Sequence, residues 1–204
     1  MRIFLARHGE TEWNAAHRLQ GRSDIRLTAN GAEHAEALAL LLHREPLQAI
    51  YTSTLRRTRD TARPLAQRLG LEPEPRAALD ELSYGSLEGH TAADPDPAIR
   101  KLWAARKADP LGFRAPNGET YDELRSRLLP FVAELQARHA DGTALVVGHR
   151  ATNRVLRALL LGLTLQDGLA FKAKHDCVME IRPGMEPVCI EHRYAPAAER
   201  RSTP

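Results

Sequence analysis

The 204-residue chain predicts an α/β protein, a three-layer α/β/α sandwich around a mostly parallel central sheet. Three observations predict it. Short apolar runs alternate with helical stretches that carry an apolar stripe, which calls for right-handed crossovers and helices on both faces of a sheet. Three of those apolar runs end directly in chemistry-bearing residues, as the carboxyl edge of a parallel sheet would. No Pro/Gly/Ser-rich linker, repeat or low-complexity tract divides the chain, so one domain over residues 1–204 is expected.

The elements follow in order. Residues 2–7 read as a short buried strand running into Arg7-His8-Gly9. Thr28 or Asn30 caps an alanine- and leucine-rich helix from Ala32 to His43, which Pro46 ends. Leu47 to Thr52 is a second strand, and Ser53-Thr54 introduces a helix from Leu55 to about Leu69, closed by Gly70. A short strand near Glu72 to Arg76 leads into Leu79 to Gly89, whose mixed polarity and two glycines predict a structured loop. Between Asp94 and Pro116 the chain is proline-punctuated, with one helix from Pro97 to Lys107 that presents Arg100, Lys101, Arg106 and Lys107 and turns Ile99, Leu102 and Trp103 inward. Residues 90–117 are read as a small cap-like insertion. A longer helix from Thr120 to His139 carries Leu124, Leu128, Phe131, Val132 and Leu135 at helical spacing. Thr143 to His149 is the strongest buried-strand signal, Thr152 and Asn153 open another helix through Leu161, and Cys177 to Ile181 and Val188 to His192 form two strands around Pro183-Gly184.

Composition narrows the function classes. Apolar content of 43% and charged content of 27% are those of an ordinary globular protein. A net charge of +3 is spread along the chain, and only Arg193 to Arg201 is locally basic. With 5% aromatics and no recognisable motif, a nucleic-acid module is disfavoured. Arg7 and His8 interrupt the first apolar run before it reaches signal-peptide length, and no run is long enough to span a membrane, so a cytoplasmic protein is expected. Cys177 and Cys189 fit neither a disulfide framework nor a metal ligand set and are expected to be buried free thiols.

The motifs then converge. Leu5-Ala6-Arg7-His8-Gly9-Glu10-Thr11-Glu12-Trp13-Asn14 resembles the signature of the histidine phosphatase superfamily, which includes cofactor-dependent phosphoglycerate mutase. Gln20-Gly21-Arg22-Ser23-Asp24 with Leu27-Thr28 and Gly31 resembles the family's second block, and Ser53 to Thr58 with Thr61-Ala62 its third. Glu81 with Gly85 and Glu88-Gly89 resembles the fourth, Gly118-Glu119-Thr120 precedes the long helix as in many members, and Val146-Val147-Gly148-His149 resembles the last. The blocks occur in the family's order over most of the chain.

The resemblance implies a phosphoglycerate mutase-like fold and a phosphohistidine mechanism. His8 would attack phosphorus, dividing one hard transfer into two easier ones. Arg7, Arg56 and His149 would surround the three equatorial oxygens, and their positive charge would keep the nucleophile unprotonated. Glu81 matches the proton donor to the leaving alcohol, with Asp80 and Glu88 as neighbouring competitors. Thr11, Asn14, Gln20 and Gly21 match positions lining the phosphate and substrate pocket, although ordinary loop and capping roles also suit them. Arg150 departs from the glycine that many members place after the second histidine, and a long cation there suits a second anionic group or a carboxylate of the protein. His17, His34, His43, His90, His139, His175 and His192 lack metal-ligand spacing, and packing or surface roles are expected for most.

These readings make the chain a metal-independent phosphomonoester hydrolase for a small phosphorylated metabolite, without cofactor, nucleic acid or membrane, and compatible with a homodimer. A mutase is the alternative within the family; the segment 89–117 is short and proline-broken, which leaves the intermediate open to water and favours hydrolysis. Phosphoprotein hydrolysis and a non-catalytic phosphate-binding regulator are the alternatives outside it, the latter having no need of both nucleophile and acid.

Overall fold

The computed structural model describes residues 1–172, 174–182 and 184–191. Its strands are β1 (Arg2–Arg7), β2 (Ala49–Thr52), β3 (Glu74–Pro75), β4 (Thr143–Gly148), β5 (Cys177–Ile181) and β6 (Val188–Glu191), in one sheet of order β3-β2-β4-β1-β5-β6. The first four in that order are parallel, while β5 lies antiparallel against β1 and β6 antiparallel against β5. The expected three-layer sandwich with a mostly parallel sheet is therefore the fold, and an antiparallel hairpin finishes one edge. Pro183, His192 and the basic segment 193–201 lie outside the described residues.

Alternation along each strand divides the core in two, because successive side chains point to opposite faces. Ile3, Leu5, Tyr51, Ala144 and Val146 face one layer, where α5 (Tyr121–Arg138) and α6 (Arg150–Leu161) contribute Leu124, Leu128, Leu135 and Val155. Phe4, Ala6, Ile50, Leu145 and Val147 face the other, against Leu38 and Leu42 of α2 (Ala29–Leu42) and Ala62 and Leu65 of α3 (Arg56–Leu69). Each large apolar side chain buried in this way stabilises the fold by roughly 1.5–3 kcal/mol.

Local chemistry sets the helix ends. Thr28 caps α2 by accepting from the Gly31 N–H, and Gly70 closes α3 in the left-handed region at φ 65°. Thr120 and Glu123 form a capping box on α5, and Asp96 with Pro97 opens α4 (Pro97–Ala108). Two short helices lie outside the sequence expectation: α1 (Glu12–Ala15), opened by Thr11, and α7 (Leu165–Ala170), opened by Thr164 with Asp167. Helix α6 starts at Arg150, two residues before the expected Thr152.

The expectation of free thiols is corrected: Cys177 and Cys189 are joined as a disulfide. They stand on neighbouring antiparallel strands, where Cys177 is opposite Glu191 and Met179 opposite Cys189. They are thus diagonal neighbours on one face, with Cα atoms 6.0 Å apart. Among the described residues no helix is long and apolar enough to cross a membrane.

Candidate active site

The parallel pairing of β1 with β4 brings the two motif histidines together. Arg7 is the register partner of Gly148, so His8 and His149 leave the sheet side by side. The His8 N–H donates to the Gly148 carbonyl at 3.0 Å, and the two imidazole centroids are 5.2 Å apart. Both side chains are buried. The His8 Nδ1–H donates to the Gly9 carbonyl at 2.7 Å, which leaves Nε2 as the nitrogen with the lone pair. Gly9 can hold this turn because it has no side chain: a Cβ there would lie 2.3 Å from the Gly31 carbonyl oxygen.

Proton accounting fixes His149 in the other tautomer. The Thr58 hydroxyl donates to the Leu55 carbonyl at 2.9 Å, so Thr58 Oγ1 accepts from Ser53 Oγ at 2.8 Å. Ser53 Oγ in turn accepts from His149 Nε2–H at 2.8 Å and from the Leu55 N–H at 3.1 Å. That leaves His149 Nδ1 to accept from Arg57 Nε at 3.1 Å. Burial, then Arg57, holds both His8 and His149 well below the ordinary histidine value; His149 and Arg7 add to the effect on His8. Both rings are neutral, as a nitrogen nucleophile must be.

Arg56 is not the arginine of this site. Its Nε pairs with Asp60 at 3.0 Å, and it lines an outer groove with Arg26, Glu36 and Arg63. Arg57 takes the expected place: it is fully buried, lines the cleft, and donates to the Ser23 and Gly21 carbonyls at 2.7 Å each as well as to His149. The reason is helical phase. Arg57 shares the buried face of α3 with Thr58, Thr61, Ala62 and Leu65, whereas Arg56 is turned about 100° away. Arg7, at the end of β1, also lines the cleft, and burial pulls its pKa down to about 10, with Glu81 opposing and Arg150 and Arg57 assisting.

Glu81 reaches the same cleft from the 79–89 loop and is buried. Its carboxylate caps α6 from outside: Oε1 accepts from the Thr152 N–H at 3.1 Å and the Leu82 N–H at 3.0 Å, and Oε2 from the Ala151 N–H at 3.2 Å. The competing carboxylates are engaged elsewhere. Asp80 accepts from the Thr54 N–H and hydroxyl, while Glu88 binds the N–H groups of Arg22, Ser23 and Tyr84.

The cleft above these groups has a volume of about 330 Å³. Asn14, Gln20, Gly21 and Arg150 line it as expected. Thr11 does not, being buried in a capping box with Asn14; its hydroxyl and N–H both donate to Asn14 Oδ1. His149 lies behind the cleft surface, with both ring nitrogens committed to Ser53 and Arg57. From α4, Trp103 and Arg106 reach the cleft, whereas Arg114 pairs with Glu123 and Arg100 donates to the Asp94 and Pro95 carbonyls. Among the described residues no group of three or more His, Cys, Asp or Glu is placed to hold a metal ion.

His175, for which the sequence predicts only a packing or surface role, stands beside His8. His175 Nδ1–H donates to the His8 carbonyl at 2.6 Å, its ring lies 5.5 Å from that of His8, and it stacks on His34 at 5.9 Å. Burial, then Arg7, lowers its pKa to about 3. It sits just before β5, and its approach to His8 follows from β5 lying antiparallel to β1, a pairing no local motif announces.

Known proteins share both sequence and architecture with this chain. A sequence model of the histidine phosphatase superfamily (branch 1) matches residues 3–190. A protein of Serratia proteamaculans named "Probable phosphoglycerate mutase GpmB" is 35% identical over 164 residues, covering 80% of this chain and 76% of the relative. Phosphoserine phosphatase 1 of Hydrogenobacter thermophilus is 31% identical over 174 residues, 84% of this chain and 81% of that one. The crystal structure of the alpha-ribazole phosphatase from Shigella flexneri superposes with a TM-score of 0.84 at 26% identity, over 94% of this chain and 96% of that chain.

Proposed function

The chain belongs to the histidine phosphatase superfamily, and from that premise we propose that it is a phosphomonoester hydrolase for a small phosphorylated metabolite, working through a phosphohistidine at His8. The observation that carries the reading is the neutral His8, with Nδ1–H bound to the Gly9 carbonyl and Nε2 left as nucleophile beside two cleft arginines. In the first step the Nε2 lone pair forms the N–P bond as the P–O bond to the alcohol breaks, and Glu81 delivers a proton to the leaving oxygen. Arg7 and Arg57 stabilise the charge on the transferred phosphoryl group, with His149 holding Arg57 in place. In the second step water gives its proton to Glu81 and displaces the phosphoryl group from Nε2 as inorganic phosphate. The arginines supply the positive charge, so the reaction as proposed is metal-independent.

The segment 90–117 serves as a cap in this reading, with Trp103 and Arg106 against the cleft. A mutase is the second reading, and the 35% identity to a relative named for that activity favours it. Incubation with 3-phosphoglycerate separates the two: phosphate release keeping pace with substrate loss supports hydrolysis, and isomerisation outrunning release sinks it. Hydrolysis of 4-nitrophenyl phosphate is expected to survive chelator, yield to vanadate and disappear in His8→Ala; full turnover by that variant excludes the phosphohistidine.

A further inference from the structure

Beside the phosphate cleft lies a second, larger cavity of about 560 Å³, and the two share Trp103, Arg106 and Arg154 among their lining residues. Its remaining lining joins apolar groups, among them Ala92 ahead of α4, Ala104 on α4, Tyr121 at the start of α5 and Leu169 on α7, to the cations Arg100 and Lys107 of α4. The volume falls within the usual range of small-molecule sites. Arg106 is engaged by the ring faces beside it, 4.8 Å from the Tyr84 centroid and 5.2 Å from that of Trp103.

Two features specify what this cavity would take. Four cations, Arg100, Arg106, Lys107 and Arg154, stand among its lining residues and can donate to an acceptor on a ligand. And among the described residues no carboxylate lines the cavity, while Glu81 is the single carboxylate lining the cleft. A substrate amine would therefore meet several guanidiniums and one carboxylate already bound to a helix terminus.

We propose that the second cavity is the subsite for the leaving alcohol, and that it takes a flat, mostly apolar ring system bearing a hydrogen-bond acceptor and no positive charge. The proposal rests on the phosphomonoesterase reading and names its substrate class. A ring there would cover the apolar surface and place an acceptor within reach of these cations, whereas a two- or three-carbon alcohol would leave both to water.

Binding measurements test this without turnover. Calorimetry would compare (2-naphthyl)methylphosphonate with ethylphosphonate, which share the anionic group and differ in the ring. Wild type is expected to bind the aryl compound about tenfold more tightly, a ratio that needs only about 55 Å² of newly buried apolar surface at roughly 25 cal/mol per Å². Ala104→Trp, which fills the cavity from α4, is expected to cut the preference to about threefold or less, and Ala92→Trp does the same from the segment ahead of α4 should the first variant fail to fold. Equal affinity of wild type for the two phosphonates, or a preference that survives in a folded filling variant, overturns the proposal. Failure of the hydrolase reading would appear separately, as no His8-dependent turnover of any phosphate ester while the binding preference persists.

Discussion

Arg57 Nε donates to His149 Nδ1 across 3.1 Å inside the protein, and the same guanidinium grips the carbonyls of Gly21 and Ser23. One side chain therefore ties α3, the 20–24 loop and the end of β4 to the cleft. Arg57→Ala is expected to lower kcat/KM for 4-nitrophenyl phosphate by about 10²–10³-fold, the usual cost of removing one donor to developing charge. Arg56→Ala, which loses only a half-exposed pair with Asp60, is expected to stay within about threefold of wild type. Equal losses in the two variants would contradict the assignment.

The buried neutral histidines set a pH dependence of stability. His175, at about 3 in the folded protein against 6.5 unfolded, is neutral when folded but takes up a proton on unfolding below pH 6.5. The unfolded state thus binds more protons, so stability is full above pH 6.5 and is lost as pH falls from there toward about 3. His8 and His149 act in the same direction. Each such group contributes up to about 1.4 kcal/mol per pH unit in that window. Urea midpoints followed from pH 7 to pH 4.5 are expected to fall, and His175→Asn is expected to flatten the slope by about one such increment. An unchanged slope would mean that His175 is not held neutral.

Gly21 is a second point of backbone dependence. Its φ of 54° lies in the left-handed region, and a Cβ there would lie 2.0 Å from Glu88 Oε1, an oxygen that binds the Arg22 and Tyr84 N–H groups. Gly21→Ala is expected to destabilise the protein by about 2 kcal/mol or more, through backbone strain and loss of the Glu88 contacts. Thermal unfolding checks this, and a melting temperature unchanged from wild type would refute the constraint.

The strand-end histidines were legible because β1 and β4 are apolar runs that stop at a charged or flexible residue, and a parallel sheet gathers such ends on one edge. Arg57 was legible in principle, since positions 57, 58, 61, 62 and 65 make one buried stripe on α3, but an arginine in an apolar stripe reads as an exposed cation until its partners are known. Thr11 illustrates the reverse: its capping role was visible three residues from Asn14, and the family match drew it toward the substrate. What lay beyond reach depends on long-range pairing. His175 meets His8 across 167 positions, and the Cys177–Cys189 bond needs the diagonal register of β5 and β6.

Glu81 joins structure to chemistry most directly, because the carboxylate assigned to the leaving alcohol also supplies the cap that α6 lacks in its own sequence. His149 occupies the N-cap position but spends both ring nitrogens elsewhere, so the amides of Ala151 and Thr152 depend on Glu81. Glu81→Ala is expected to cost about 1–2 kcal/mol in unfolding free energy, the range for a lost helix cap. Its kinetic signature differs from that of simple destabilisation. Where the leaving group is 4-nitrophenolate, little protonation is needed, and the variant is expected to lose about tenfold or less; where it is ethanol, general-acid help is worth about 10²–10⁴-fold, and the loss should be correspondingly larger. Measuring kcat for both esters well below the melting temperature of the variant separates the two contributions. Equal losses on the two substrates would leave Glu81 as a helix cap alone and move the proton transfer to another group.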